Sequence, residues 1–234
     1  MAPPPEPQII EVDGQAVVLR FRRNAAARRM VLRLDSKNVG LVMTLPKRSG
    51  LAEALRFVDQ SRDWISRTLA KQPEATKFED GVTILYRGRL HVLRLSGGPR
   101  GLVHVAGDDL VVPGRPEHAP RRLKDFFAVE AKRELSVASR RYADAMDAKF
   151  TRISIRDQKS RWGSCSAGGV LSYSWRLILT PDYVLDYVAA HEVAHLREMN
   201  HGPKFWRLVL THCPNAKIAK QWLKAHGREV HRYL

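Results

Sequence analysis

Residues 191–201 read HEVAHLREMNH, and their types and spacing could bind and use a metal ion. In a helix, His191 and His195 lie one turn apart and about 40° apart around the axis, so both imidazoles can reach one ion. Glu192 lies about 100° from His191, where it can hold a water molecule at that ion. Neutral imidazoles suit Zn²⁺, which lowers the pKa of bound water toward about 7. A nearby carboxylate can then remove the proton, so the pattern predicts metal-assisted hydrolysis.

The alternative is that this pattern arose by chance on an ordinary helix. A chance HExxH is expected in about one chain in a hundred of this length, and it would usually lie on an exposed face. Here the two histidines share a helical stripe with Val184, Val188 and Ala194. Buried imidazoles and a carboxylate without a metal would carry a desolvation cost. The stripe therefore favours a metal site.

His201 is the predicted third ligand. In a continuous helix it would lie about 9 Å beyond the second histidine along the axis and about 120° away, too far to share the ion. The Asn-His-Gly-Pro sequence at 200–203 favours a helix end, a turn and a new helix, which Phe205 and Trp206 could anchor. Such a turn would bring His201 under the metal. Glu198 remains the rival ligand, although the helix would have to bend for it too.

A second segment, SRWGSCS at residues 160–166, could bind substrate. A peptide that binds as an added β-strand makes sequence-tolerant hydrogen bonds, and the hairpin expected over 162–179 offers an edge for it. Small residues in this segment would let a substrate backbone approach, and its arginine could lie near the oxyanion. The alternative is a tight structural corner packed by the tryptophan. The candidate substrate-binding residues are Arg161, Trp162, Gly163 and Ser164.

The two cysteines, Cys165 and Cys213, do not form a disulfide framework, and their number fits a reducing compartment. Cys165 is either a small core residue or a soft fourth ligand that silences the metal. The first 14 residues lack the basic and apolar regions of a secretory signal. No run of 18 apolar residues predicts a membrane span, so we expect a cytoplasmic protein that does not bind membranes.

The rest of the chain must position these residues, and its pattern indicates an α+β fold. The first half has several short runs of alternating apolar and polar residues, which predict β-strands, and one helical stripe at about 49–69. The sequence GRPEHAP at 114–120 indicates a boundary before a long helix. In the second half, the metal-binding helix is expected beside an antiparallel sheet. The predicted organisation is a disordered leader at 1–8, a β-rich region at 9–116 and a catalytic domain at 117–234.

The charge of the chain raises the possibility of a polyanionic partner. Lys and Arg total 40 against 24 for Asp and Glu, which gives a formal net charge of +16. Such a surplus is typical of proteins that bind nucleic acid, although it can also serve solubility alone. We expect weak, sequence-independent nucleic-acid binding through the long helix, unless its cations form an ordinary solvated face. Those cations are Arg121, Arg122, Lys124, Arg133, Arg140 and Arg141.

The sequence HEVAHLREMNHGPKFW, with SRWGSCS and SWRLILTPDYVLDYV, resembles the YgjP-like family of bacterial zincin metallopeptidases, relatives of SprT-like proteins. The resemblance is strongest over residues 155–225. It implies a zincin fold, metal binding through His191, His195 and His201, and Glu192 as catalytic base. The same histidine spacing occurs in metzincins, but those have Gly where this chain has Glu198.

These observations predict a zinc-dependent peptidase that acts on peptides or proteins through water activated by the metal and Glu192. Two alternatives remain open. The protein could be a basic, nucleic-acid-associated protein that acts on DNA-bound proteins, as SprT-like relatives do, although the sequence contains no recognisable DNA-binding motif. It could also be a metal-binding scaffold without turnover. The sequence does not predict the substrate or the oligomeric state.

Overall fold

The protein divides into two compact units, Met1–Gln72 and Pro73–Leu234. The computed structural model describes residues 3–35, 40–70, 77–99, 101–158 and 161–233. The division lies near residue 72, whereas the sequence pattern predicted a boundary at 116. The reason is that strands between residues 83 and 113 share a buried core with the long helix that follows them.

The described residues of the first unit form one four-stranded sheet and two helices. The sheet has the order β1-β2-β4-β3, in which β2 and β4 are parallel and the other pairs are antiparallel. Its strands are β1 (Gln8–Val12), β2 (Gln15–Arg23), β3 (Val31–Leu34) and β4 (Leu41–Leu45). The helices α1 (Leu51–Gln60) and α2 (Arg62–Ala70) replace the single helix that was expected, because the chain leaves the helix at Ser61. Gln8 belongs to β1, one residue inside the expected leader.

The second unit begins with another four-stranded sheet, ordered β5-β6-β8-β7. Its strands are β5 (Thr83–Tyr86), β6 (Arg89–Gly97), β7 (His104–Ala106) and β8 (Asp109–Pro113). A short 3₁₀-helix at Pro116–His118 leads into the 27-residue helix α3 (Ala119–Ala145). Leu93 and Leu110 of the sheet and Phe127 of α3 are fully buried in one core. This shared core makes the sheet part of the second unit.

A three-stranded sheet, ordered β10-β11-β9, follows α3. It consists of β9 (Arg152–Arg156), β10 (Gly163–Cys165) and β11 (Val170–Ser174). The hairpin of β10 and β11 is antiparallel as expected, and β11 also pairs in parallel with β9. The strand expected to continue to Leu179 ends at Ser174, and Trp175–Leu179 forms a 3₁₀-helix. All five residues of this 3₁₀-helix are buried. Its largely apolar sequence therefore shows no exposed face that would have distinguished it from a buried strand.

Three helices complete the chain: α4 (Asp182–Ala194), α5 (Pro203–His212) and α6 (Ala216–Val230). α4 carries the HExxH sequence, and nine of its residues are buried because α3, α5, α6 and β10 all pack against it. The protein is therefore a mixed α+β fold with the candidate metal helix beside a small sheet. Of the helices in the described part of the chain, none is long and apolar enough to cross a membrane.

Candidate metal centre

The structure brings the side chains of His191, His195 and His201 together. α4 ends at Ala194, earlier than the sequence pattern indicated, and the chain turns before α5 begins at Pro203. Because of this turn, one nitrogen from each of the three imidazoles lies within 4.8 Å of the others. The Nε2 atoms of His191 and His201 are 3.0 Å apart. Among the described residues, this is the one group of three or more His, Cys, Asp or Glu side chains that could hold a metal.

The donor atoms of this group can hold a metal ion that accepts imidazole nitrogen. Ligand nitrogens at tetrahedral zinc lie about 3.3 Å apart, as follows from Zn–N bonds of about 2.0–2.1 Å. The Nδ1 of His195 is 3.1 Å from the carbonyl oxygen of Glu198, to which only a protonated nitrogen can donate. This hydrogen bond leaves the Nε2 lone pair of His195 free for a metal. The Nδ1 of His191 is buried and has no hydrogen-bond partner among the described residues.

Burial keeps the imidazoles of His191 and His195 in the form that binds metals. Burial lowers the pKa of His191 to about 4, and the charges of His195, His201 and Lys220 add to this effect. The pKa of His195 is also lowered, mainly by burial. Both rings are therefore neutral at pH 7, with a nitrogen lone pair available for coordination.

Glu192 lies on the same helix and is buried, with 6% of its surface exposed. Burial raises the pKa of its carboxyl group to about 8, and the positive charge of Arg161 opposes this rise. A cation held by the neighbouring imidazoles would favour the ionised carboxylate, as any opposite charge at short range does. The carboxylate is thus next to the imidazole cluster and sensitive to charge there.

Gly163 of β10 lies directly against Glu192. A Cβ atom at residue 163 would be 2.7 Å from both Cγ and Oε1 of Glu192, closer than van der Waals contact permits. Glycine is therefore the residue that lets β10 approach α4 at this point. Of the four residues expected to bind substrate, Gly163 packs against Glu192, and the exposed Arg161 lowers the pKa of Glu192 through its positive charge.

Trp162 and Ser164 are engaged in contacts within the protein itself. The indole of Trp162 packs against the ring of His231, with centroids 4.8 Å apart, and lies over Gly227 of α6. Its position matches the packed corner that was the alternative to substrate binding. Ser164 pairs with a serine of β11 within the hairpin.

The two rival ligands lie outside the imidazole cluster. The thiol of Cys165 donates to the carbonyl oxygen of Ser166 at 3.4 Å and is not part of the metal-binding group. Glu198 supplies its backbone carbonyl to His195, and its carboxylate is not part of the group either. Among the described residues, the cluster therefore offers three nitrogen ligands to a metal.

The sequence pattern predicted only an anchoring role for Phe205 and Trp206 and did not reveal their contact with the site. The buried ring of Phe205 has its centroid 4.6 to 4.9 Å from those of all three imidazoles. The indole of Trp206 lies 5.9 Å from the rings of His191 and His201. The only signal in the sequence was that both aromatic residues follow soon after His201. Their rings form an apolar wall beside the imidazoles.

Comparison with known proteins places this chain in a family. No curated protein matches it significantly. Among solved structures, the metallopeptidase zymogen of Pyrococcus abyssi abylysin is weakly similar, with 20% identity, a TM-score of 0.36, and coverage of 39% of this chain and 93% of that one. The model of the YgjP-like metallopeptidase domain matches residues 28–226, which is most of the chain. This match confirms the resemblance seen in the sequence, and the protein belongs to the YgjP-like metallopeptidase family.

Proposed function

We propose that this protein is a zinc-dependent peptidase in which His191, His195 and His201 hold the metal and Glu192 is the general base. The convergence of three imidazole nitrogens within 4.8 Å beside a buried carboxylate carries this proposal. Family membership supports a peptidase acting on a peptide or protein substrate. Zinc is the proposed metal because a set of three imidazole nitrogens, with no fourth ligand among the described residues, suits it best.

In peptide hydrolysis, Glu192 and the metal-binding histidines would have separate roles. When bound, zinc supplies a Lewis acid that polarises the substrate carbonyl and makes water more acidic. Glu192 takes a proton from the attacking water and gives it to the leaving amine. The hydrogen bond between His195 and the Glu198 carbonyl holds that imidazole in one tautomer and orientation.

The edge of β10 is the proposed binding site for the substrate backbone. Among the described strands, β10 pairs only with β11, so its other edge is free to accept an extended peptide. Because Gly163 touches Glu192, a peptide on this edge would pass close to the general base. The exposed Arg161 is a candidate for stabilising negative charge on the substrate oxygen.

The alternative of a nucleic-acid-associated protein receives little support from α3. Much of the positive charge on this helix is balanced by nearby acids, which reduces its attraction for phosphates. Its ion pairs are Arg121 with Asp125, Arg133 with Glu130 and Glu134, and Arg141 with Asp186. Weak nucleic-acid binding and a cytoplasmic location stay predictions from the sequence.

Metal analysis and a hydrolysis assay with the purified protein test this proposal. We expect about one zinc per chain, because the site offers one set of three ligands. Casein should be cleaved, a chelator should stop the cleavage, and added zinc should restore it. Bound zinc with no hydrolysis would indicate the scaffold instead. Hydrolysis only in the presence of DNA would indicate the nucleic-acid-associated alternative.

Replacing Gly163 by Ala is expected to lower hydrolysis about 10²-fold while zinc content stays the same. The added methyl group would force Glu192 away from its position, and a shift of about 1 Å in a catalytic group can cost that much. Hydrolysis rate and zinc content should be measured together. Gly168→Ala is the matched control, because the one described atom within 4 Å of a Cβ there is the Ser166 hydroxyl, at 3.9 Å.

The double variant Gly163→Ala/Glu192→Asp separates displacement of the base from general damage to the hairpin. Aspartate is one methylene shorter and makes room for the alanine. The loss caused by Glu192→Asp should therefore be smaller in the Gly163→Ala protein than in the unmodified protein, since residues in contact have non-additive effects. Equal activity of Gly163→Ala and Gly168→Ala would show that the contact does not position Glu192.

A further inference from the structure

One face of α6 carries a row of four cations, which we call the cationic stripe: Lys217, Lys220, Lys224 and Arg228. Their spacing of three and four residues places them within an arc of about 80° and along roughly 16 Å of the helix axis. All four residues are exposed. None of them forms an ion pair with any residue that the structure describes.

The charge of the stripe is not neutralised by its own helix. The only acid in α6 is Glu229, which lies about 120° from Lys217 around the axis and is 3.4 Å from His226. On α3, in contrast, three arginines have acidic partners. The stripe therefore offers positive charge to an external partner more effectively than α3 does.

One part of the stripe lies beside the imidazole cluster. The amine of Lys220 is 4.6 Å from the centre of the Trp206 ring. The Trp206 ring in turn lies 5.9 Å from that of His201. A ligand that reaches Lys220 is therefore close to the proposed metal centre.

The other end of the stripe lies near the edge strand. Arg228 follows Gly227, where a Cβ would be 3.2 Å from the indole of Trp162. Trp162 directly precedes Gly163, the first residue of β10. The stripe thus extends from the imidazole cluster toward the strand on which we propose that substrate binds.

We propose that the cationic stripe binds an acidic segment of the peptide substrate, so that the enzyme prefers substrates with Asp or Glu near the cleavage site. This inference rests on the proposed peptidase function. In an extended peptide, alternate side chains point the same way at intervals of about 6.8 Å, similar to the steps of about 4.5 to 6 Å between cations of the stripe. Two or three alternating carboxylates can therefore meet successive cations.

The surroundings of the stripe favour a peptide over a nucleic acid. Single-stranded nucleic acids are bound by cations together with aromatic rings on which bases stack. The two tryptophans that flank the stripe are partly buried, and the ring of each already contacts another group of the protein. Lys220 lies over Trp206, and Gly227 and His231 pack on Trp162. A peptide needs no such stacking surface, since carboxylates and main-chain hydrogen bonds suffice.

Binding of two labelled peptides to the full-length, zinc-loaded Glu192→Gln protein tests the proposal without cleavage. The peptides are fluorescein-labelled, equal in length, and differ only in three alternating Glu or Gln residues. We expect the Glu peptide to bind about tenfold more tightly at low salt, because exposed charge pairs contribute modestly but add together. The preference for the Glu peptide should nearly vanish at 1 M salt, because the Debye length is then about 3 Å and exposed charges are screened from each other. Equal binding at low salt, or no measurable binding of the Glu peptide, would overturn the proposal.

A pair of charge-reversal variants locates the effect. Lys217→Glu/Lys224→Glu should lose the preference, with Lys220 left in place over Trp206. The control Lys132→Glu/Arg140→Glu changes the net charge by the same amount at exposed positions on α3. This control should keep the preference for the Glu peptide. Circular dichroism checks that both variants fold. Equal loss of preference in both would show that net charge, and not the stripe, selects the peptide.

Two further outcomes separate the proposed recognition of acidic segments from the proposed peptidase function on which it rests. If a single-stranded DNA oligonucleotide binds tightly while the peptides bind equally, the stripe serves nucleic acid and the proposal is wrong. If the unmodified protein cleaves no peptide at all, the proposed peptidase function fails. The difference in binding between the Glu and Gln peptides still decides whether the stripe recognises acidic segments.

Discussion

Replacing Glu192 by Gln is expected to leave zinc near one per chain and to lower peptide hydrolysis by about 10² to 10⁴-fold. Glutamine has nearly the same size and can still form hydrogen bonds, but its amide cannot take a proton from water. The three imidazoles that we propose as ligands are unchanged, so the metal should stay. The side chain is buried, and burial disfavours its charged form, so a neutral amide should not lower the melting temperature.

Zinc content, melting temperature and casein hydrolysis should be measured on the same preparations. Glu117→Gln is a matched control, because it makes the same chemical change at an exposed residue of the 3₁₀-helix before α3. Full activity of Glu192→Gln would mean that another group acts as base. Loss of zinc together with activity would mean that Glu192 serves as a ligand.

The imidazole cluster could be anticipated because its determinants are local. The spacing of His191 and His195 follows from the helical repeat, and the Asn-His-Gly-Pro sequence at 200–203 contains the residues that end one helix and begin another. These preferences act within a few residues and need no knowledge of the rest of the fold. The exact end of α4 at Ala194 was not predicted, since helix ends depend on the packing around them.

The contact between Gly163 and Glu192 could not be predicted in the same way. It joins a strand to a helix through the packing of β10 against α4, which depends on the whole sheet. The sequence indicated only that a small residue at 163 would allow some backbone to approach. The structure shows that Glu192 of the protein itself makes this close contact, whereas the sequence pattern predicted a substrate backbone there.

Long-range packing also explains why the observed division of the chain differs from the predicted boundary. It explains as well why the predicted basic face of α3 is partly neutralised. Alternating residues predict strands but do not reveal which helix covers the sheet, and α3 covers the sheet of β5 to β8. Similarly, the arginines of α3 suggested a basic face, but Arg141 pairs with Asp186 of α4, which is distant in sequence. The cationic stripe on α6 follows the helical repeat, yet its importance depends on Lys220 lying beside Trp206.

Replacing His201 by Ala is expected to weaken zinc binding by more than about 100-fold and to remove the stabilisation that zinc gives. Loss of groups that only support a ligand costs about 10- to 100-fold in metal affinity, so loss of a ligand itself should cost more. His201 lies in the turn between α4 and α5, and a bound metal would tie that turn to the imidazoles of α4. Without this link, the turn should loosen.

The melting temperature tests this role independently of activity. A ligand at 100 times its dissociation constant stabilises a protein by about 2.7 kcal/mol, which corresponds to roughly 5 to 10 °C for a unit of this size. Added zinc should raise the melting temperature of the unmodified protein and of the control His104→Ala, whose imidazole lies in β7, by about this amount. His201→Ala should respond little, because metal binding would no longer join the turn to α4. If His201→Ala keeps full zinc and shows the same rise, His201 is not a ligand, and Glu198 becomes the candidate, although its carboxylate would then have to move into the cluster.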